Sequence, residues 1–302
     1  MKTRAFLLFC ILIGSIISLQ AQERIKGQFK IDYVPFSNYV RPIDSVKTPS
    51  KTDFRRVEAS FEIPLSVTMD HRNKPRLWSI VAQGAYAKMQ HKLYEEELFP
   101  TTLLNAQVGV KHFRSISDSW SLLFMGTVGI YTTDVEMINK ETILAQGGVF
   151  FIKHFNEKVA LGVGPVLTNS FGVPMVLPGI YFNWETHGDF YVRVAFPQGV
   201  ELGYKMNEIV DLKLAADLQG MTAVIKKDDK NMLLGFQQIV AGFRPEFKFN
   251  DNLTLSLTAG SSLVRSFSYN ERKIKNIFKE KKEADPRFTS TFYGAVQLRW
   301  AL

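Results

Sequence analysis

Residues 210–224 alternate strictly between apolar and polar side chains, and this alternation limits the possible folds more than any other feature of the 302-residue sequence. Leu212 and Leu214 fall on one face, whereas Asp211 and Lys213 fall on the other. Successive side chains of a β-strand point to opposite faces, so a period of two predicts a strand with one apolar and one polar face. The same pattern returns near residues 57–67, 253–259 and 296–302.

Short segments of this kind follow one another along the whole chain after residue 22, and no long amphipathic helix interrupts them. The segments near 77–90 and 143–154 alternate least, so a count of twelve strands stays open if two weak segments are loops. We predict fourteen strands, near residues 24–34, 55–69, 77–90, 103–114, 119–131, 143–154, 159–167, 175–185, 190–196, 199–205, 209–224, 236–248, 253–266 and 288–302.

The predicted connections alternate between short polar turns and longer loops. The short turns are rich in Asn, Asp, Gly and Pro, which favour tight turns. Outer-membrane barrels have short periplasmic turns and longer extracellular loops. We therefore predict an all-β fold, a single antiparallel up-and-down transmembrane β-barrel over residues 22–302. The longer connections are predicted at residues 36–53, 91–102, 132–142, 168–174, 226–235 and 267–286, and only 197–198 is brief.

The first 21 residues read as a secretory signal peptide. Lys2 and Arg4 precede an apolar stretch over residues 5–19, and Ala21 offers a small residue for cleavage. The alternative is a single membrane anchor, for which the stretch is short against the ~20 residues that a helix needs. Removal of this segment takes away Cys10, the one cysteine of the chain. Export argues against a cytosolic enzyme or a nucleic-acid binder, and the predicted location is the bacterial outer membrane.

Four tryptophans lie beside short turns or at the C-terminal end of the last strand, and all fall in the apolar register. Aromatic residues concentrate at both interfaces of a membrane barrel. We predict a membrane-interface girdle, with the core of a soluble sandwich as the alternative. The four residues are Trp78, Trp120, Trp184 and Trp300.

The polar register of the same strands would line the lumen. The charges in it are mixed, so they either pair and fill the barrel or tune the passage of solutes. The basic loop 267–286 has helical spacing of apolar residues, and it is either a short helix at the pore mouth or a solvated loop. The lumen candidates are Arg56, Glu58, Glu62, Lys111, Arg193, Glu201, Lys205, Lys213, Asp217, Arg244, Glu246 and Arg299.

The signal peptide ending in Gln-Ala-Gln, the many strands and the ending over residues 293–302 resemble a Bacteroidota family of outer-membrane β-barrel proteins of unknown function. The resemblance covers residues 22–302 and implies no active site. The last strand, with Trp300 near its end, looks like the segment that the barrel-assembly machinery recognises. The usual final residue of that signal is Phe, and here it is Leu302.

Three functions follow as hypotheses. The first is a narrow pore or small-molecule transport channel, and the second is a structural or partner-binding barrel with a plugged lumen. The third, a lipid-modifying enzyme, is disfavoured because no HExxH or GxSxG motif occurs, although a His–Ser pair at the membrane face would support it. No cofactor or metal is expected. The expected partners are outer-membrane lipid, lipopolysaccharide, the assembly machinery and an unidentified lipoprotein or oligomer partner, with no nucleic acid.

The register also predicts the effect of two substitutions. Leu214→Arg places a charge on the lipid face and should cost ~2–4 kcal/mol near the bilayer midplane. Lys213→Leu changes a lumen residue and should be tolerated.

Overall fold

The computed structural model describes residues 24–95, 98–172, 174–227, 230–271 and 285–302. The predicted signal peptide, residues 1–21, therefore lies outside the described residues. The predicted mature segment is described from residue 24 onward. Fourteen long strands follow one another. They are β1 (Lys26–Val40), β2 (Lys47–Met69), β3 (Pro75–Lys88), β4 (Thr102–Ser115), β5 (Trp120–Thr132), β6 (Ile143–Asn156), β7 (Val159–Thr168), β8 (Met175–Glu185), β9 (Phe190–Phe196), β10 (Gly199–Lys205), β11 (Val210–Lys227), β12 (Lys230–Asn250), β13 (Leu253–Glu271) and β14 (Thr291–Ala301).

The fourteen strands form one closed antiparallel barrel, as predicted. Each strand pairs with its neighbours in the chain, and β1 closes the ring because Lys26 pairs with Glu62 of β2 and with Ala301 of β14. Two-residue strands at His91–Lys92 and Arg287–Phe288 extend the sheet at its rim. Closure leaves a barrel of this kind without a free edge along most of its circumference.

Among the described residues the only helices are two single 3-10 turns, Val135–Met137 and Lys140–Thr142. No helix in that part of the chain is long and apolar enough to cross a membrane.

Apolar side chains cover the outside of the barrel and charged ones lie inside. On β11, the Leu214 side chain is 60% exposed, whereas Lys213 next to it is 2% exposed. Val108, Val163 and Val296 are likewise exposed. This is the inverse of a water-soluble core, and it is the distribution that a lipid-facing barrel requires.

The two ends of the barrel differ. The short-turn end carries the turns at residues 70–74, 116–119, 157–158, 186–189, 206–209 and 251–252, together with both ends of the described chain. At the opposite end, the long-loop end, the connections at 93–101 and 133–142 are longer.

Two of the predicted long loops are wrong, because strands replace them. In the predicted loop 36–53, β1 runs to Val40 and β2 begins at Lys47. In the predicted loop 226–235, β11 runs to Lys227 and β12 begins at Lys230. The strands continue because residues such as Phe54 and Leu233 are buried in the interior rather than solvated. The predicted helix in loop 267–286 falls largely on residues 272–284, which lie outside the described residues.

The height of the wall varies around the barrel. β9 and β10 have 7 residues each, whereas the next two strands, β11 and β12, have 18 and 21. Beyond Leu218, whose N–H donates to Gln198 O at 2.8 Å, β11 has no strand beside it on the β10 side. The far end of β11 is therefore free on that side, whereas β12 stays paired with β13 as far as Met232 and Glu271.

Candidate functional site in the barrel lumen

The barrel encloses a cavity of about 980 Å³ that begins at the short-turn end, near Lys26 and Asn252. All twelve predicted lumen residues lie on the inner face of the wall, as the strand register shows. Seven of them line the cavity directly: Arg56, Glu58, Glu62, Lys111, Asp217, Arg244 and Arg299.

Alternating charges form a continuous network on the inner face of β10–β14. Lys213 Nζ lies 2.9 Å from Glu246 Oε2 and 3.4 Å from Glu201 Oε2. Arg244 bonds Glu201 at 2.8 Å and also bonds Asp217. Glu246 is bonded in addition by Arg299 and by the Ser256 hydroxyl. Burial of these charges is compensated because each has an opposite partner.

The remaining predicted lumen charges are also paired. Lys111 Nζ bonds both carboxylate oxygens of Glu62, at 2.9 and 3.0 Å. Lys205 lies 3.1 Å and Arg193 3.8 Å from the carboxylate of Glu185, an acceptor that sequence reasoning did not single out. The sequence left open whether these charges pair with one another or tune the passage of solutes. In the structure they pair with one another. Their role in solute passage stays a prediction.

A polar layer crosses the lumen at the top of the cavity. Arg56 bonds Asp32 of β1 at 2.7 Å and Gln219 of β11 at 2.6 Å. Gln219 also accepts from Gln238 at 2.7 Å and donates to the Tyr293 hydroxyl at 3.2 Å. Because β2 and β11 are not neighbours in the wall, these bonds join opposite sides of the barrel.

Above this layer the far ends of β11 and β12, residues 218–227 and 230–239, are folded into the lumen; we call them the inserted hairpin. One of its faces packs in a core with inward residues of the wall, including Phe54 and Leu103. Its other face, with Val224 and Leu233, packs against Tyr131 and Leu144, which also point inward. A hairpin buried on both faces against inner walls closes the long-loop end of the lumen.

Strand pairing with β13, aromatic stacking and one amide hold the inserted hairpin. The Phe54 and Phe236 rings stack at 4.2 Å. The free edge of β11 is satisfied by Asn105 of β4, whose Nδ2 donates to Thr222 O at 2.5 Å and whose Oδ1 accepts from Thr222 N at 3.2 Å. A side-chain amide thus replaces the missing strand neighbour, which an exposed strand edge otherwise lacks.

Two loops of the long-loop end complete the closure. Phe99, in the loop over residues 93–101, stacks on Phe267 at 4.5 Å. In the same loop the Tyr94 hydroxyl lies 2.9 Å from Thr52 Oγ1, and burial raises the pKa of Tyr94 to about 12, so it stays neutral. Gly172, with φ +71°, lies so close to the inserted hairpin that a Cβ on it would be 2.5 Å from Gly235 Cα. Only glycine fits there.

One side of the cavity is apolar, which sequence reasoning missed. Leu123, Met125, Phe150, Val166 and Tyr181, on β5–β8, lie in the inward register and line the cavity. The sequence did contain a signal for this apolar wall, because apolar and polar residues alternate poorly in segment 143–154. The structure explains it: neighbouring Phe150 and Phe151 are both apolar although they face opposite sides.

Sequence reasoning named no serine, yet the structure brings one to a histidine. Ser121 Oγ lies 3.0 Å from His154 Nε2 on the inner face at the short-turn end. Ser121 is only 3% exposed, and no carboxylate of the described residues bonds the His154 ring. A nucleophile–base pair needs a third group that orients the base. The described part of the chain also holds no cluster of three His, Asp or Glu residues arranged for a metal.

The four predicted girdle tryptophans all lie at the short-turn end in the outward register. Trp120 and Trp184 are exposed, and Lys153 lies 5.7 Å from the Trp120 ring centre. Trp78 stacks on His112 at 4.0 Å. The geometry matches an interface position, and the girdle itself stays a prediction.

A closed fourteen-strand barrel with an apolar exterior and a charged lumen defines the fold of outer-membrane β-barrel proteins. A family model described as a domain of unknown function (DUF6268) matches residues 17–301, and the chain belongs to that family. No curated protein sequence matches the chain.

A solved structure with a similar fold is an outer membrane channel. The COG4313 outer membrane channel from Pseudomonas putida F1 has a TM-score of 0.50 and 9% identity, covering 94% of this chain and 97% of that chain. The transport unit of the autotransporter AIDA-I from Escherichia coli has a TM-score of 0.39 and 11% identity, covering 95% and 94%. The outer membrane protease OmpT from Escherichia coli has a TM-score of 0.29 and 10% identity, covering 95% and 100%. At such identities the likeness concerns the fold alone.

Proposed function

We propose that this protein is an integral outer-membrane barrel that works as a narrow, gated channel for small molecules. The observation that carries the proposal is the cavity of about 980 Å³, which is lined by charged side chains and ends at the inserted hairpin. Its short-turn end faces the periplasm in this proposal, as in other barrels with this loop pattern.

The inserted hairpin is the gate in this proposal. It is joined to the wall by its pairing with β13, and it closes the lumen by packing. Both of its faces are covered only while it stays inside. Passage requires it to move out of the lumen, toward the side where β9 and β10 are short. Such a collective movement of a hairpin falls in the microsecond-to-millisecond range or slower.

Solute efflux from proteoliposomes tests the proposal. Residues 22–302 are refolded into lipid vesicles loaded with radiolabelled glycine or raffinose. We expect slow efflux of glycine and none of raffinose, because a narrow lumen admits only the smaller solute. Protein left unfolded in the same vesicles is the control. Absence of glycine efflux above that control would reject the channel.

A plugged barrel that serves structure or partner binding is the second candidate. It is favoured by the burial of the inserted hairpin on both faces. It predicts no efflux from the wild type, although shortening the hairpin would unplug the lumen. A lipid-modifying enzyme is not proposed, since the Ser121–His154 pair lacks an orienting acid among the described residues.

The setting of the channel is part of the proposal. In this proposal the protein is exported by a signal peptide over residues 1–21, inserted into the outer membrane by the barrel-assembly machinery, and carries a tryptophan girdle at the periplasmic interface. Contacts with lipopolysaccharide and with a lipoprotein or oligomer partner stay predictions, as does an origin in the Bacteroidota.

A further inference from the structure

We propose that the lumen cavity binds an anionic amphiphile, with its apolar chain on the inner face of β5–β8 and its head group near Lys26 and Lys30. The inference deepens the proposed function, because it names the class of solute that the channel takes. It rests on that function only for access to the cavity from the short-turn end.

The apolar side of the cavity is the first argument. The outer surface of a membrane barrel is apolar because it contacts lipid, whereas the inside of a barrel channel is normally polar. Here Met125 and Tyr181 point inward and are still 37% and 36% exposed, so their apolar surface faces the cavity. Phe150 and Val166 lie beside them. Covering this surface with a hydrocarbon chain removes it from water and is favourable.

The rest of the cavity wall supplies the charge. Six basic residues line it with four acidic ones, Glu58, Glu62, Asp217 and Asp251. The three arginines among them are also paired with carboxylates beside the cavity, those of Asp32, Glu201 and Glu246. The ammonium groups of Lys26 and Lys30 lie outside the ion pairs of the described residues, because Glu62 opposite Lys26 is bonded to Lys111. A carboxylate or phosphate head group would give these two ammonium groups an opposite charge. The six basic residues are Lys26, Lys30, Arg56, Lys111, Arg244 and Arg299.

The size of the cavity agrees with this class of ligand. Sites for small molecules have volumes of roughly 300–1,000 Å³ and combine apolar walls with a few placed polar groups. A cavity of about 980 Å³ holds a single medium-length chain with its head group.

Binding of a fluorescent fatty acid tests the inference. The probe is 11-(dansylamino)undecanoic acid, added to the folded protein in lipid nanodiscs, with empty nanodiscs subtracted and decanoate as competitor. We expect saturable binding that decanoate displaces. Met125→Glu should weaken the probe about tenfold, because it puts a charge on the apolar wall. It should still fold, because Met125 is partly exposed to the cavity, where water can solvate the new carboxylate, and Lys111 lies directly across from it. Met125→Leu keeps the wall apolar and should bind within about twofold of the wild type.

The head-group site is tested by a second variant, Lys26→Gln with Lys30→Gln. We expect about a fivefold or greater loss of affinity for decanoate and little change for decanol, which has the same chain without the charge. The inference would be overturned if the probe bound the wild type and Met125→Glu equally well. It would also be overturned if the double lysine variant lost the same affinity for decanoate as for decanol. Binding needs no efflux, so binding without efflux rejects the channel alone, and efflux without binding rejects the amphiphile alone.

Discussion

Lys213→Leu is expected to lower the free energy of unfolding by about 3–5 kcal/mol, the usual cost of breaking a buried ion pair. Lys213 is 2% exposed and lies 2.9 Å from Glu246 and 3.4 Å from Glu201. Its loss leaves Arg299 and the Ser256 hydroxyl on Glu246, and Arg244 on Glu201. The alternation of the sequence predicted that this change would be tolerated, and the network of contacts revises that expectation.

The measurement is urea unfolding of the folded barrel in lipid vesicles, followed by tryptophan fluorescence. Lys26→Leu is the matched control, because Lys26 faces the same lumen but is exposed and outside the ion pairs of the described residues. We expect it to cost under about 1 kcal/mol. Equal effects of the two substitutions would show that the network on β10–β14 contributes little.

Leu214→Arg is expected to cost about 2–4 kcal/mol, because it places a guanidinium near the bilayer midplane. Leu214 is 60% exposed on the outer face of β11 and lies four positions from the start of that strand. In a soluble protein an exposed leucine could become arginine at almost no cost. The size of the effect therefore reports directly on lipid contact.

The control for this prediction is Phe249→Arg, near the short-turn end of β12. Phe249 is 62% exposed and outward-facing, like Leu214, but it lies at the end of its strand. An arginine near the interface costs only about 0–1 kcal/mol. If unfolding in vesicles shows the same loss for both variants, the assumed depth of β11 in the membrane is wrong.

The barrel could be predicted from the sequence because its signal is local. Each strand of a barrel shows its alternation independently, so a segment such as 210–224 reveals which side chains point in and out. Short turns with Asn, Asp and Pro mark where strands end. The fourteen predicted segments accordingly correspond to the fourteen strands.

The inserted hairpin could not be predicted in this way, because its burial depends on contacts between distant segments. Val224 and Phe236 lie on opposite faces of the hairpin, and both are buried, one on Tyr131 and Leu144 and the other on Phe54. Alternation assigns one of those faces to lipid. The polar residues at 226–231 also resemble a loop. Only the short β9 and β10 indicated that the far end of β11 has no strand beside it.

The sequence predicted which charged residues face the lumen, but not which of them form ion pairs. Alternation places Lys213 and Glu246 on the inner face, but it cannot show that they meet across β11 and β12. The apolar wall was missed for the opposite reason. Rules for barrels assign every apolar residue of β6 to lipid, and Phe150 does not follow them.

Single-channel conductance in a planar bilayer tests the central claim most directly, that a gated lumen is closed by the inserted hairpin. The variant replaces residues 221–236 with Asn-Gly, a two-residue turn suited to joining Gly220 and Gln237, which are paired across β11 and β12. Both proteins are first shown to be folded by heat-modifiable gel mobility. The account predicts rare, brief openings of the wild type and steady conductance of the shortened variant. A folded variant that remains silent would contradict it, since the lumen would then be blocked by its own wall.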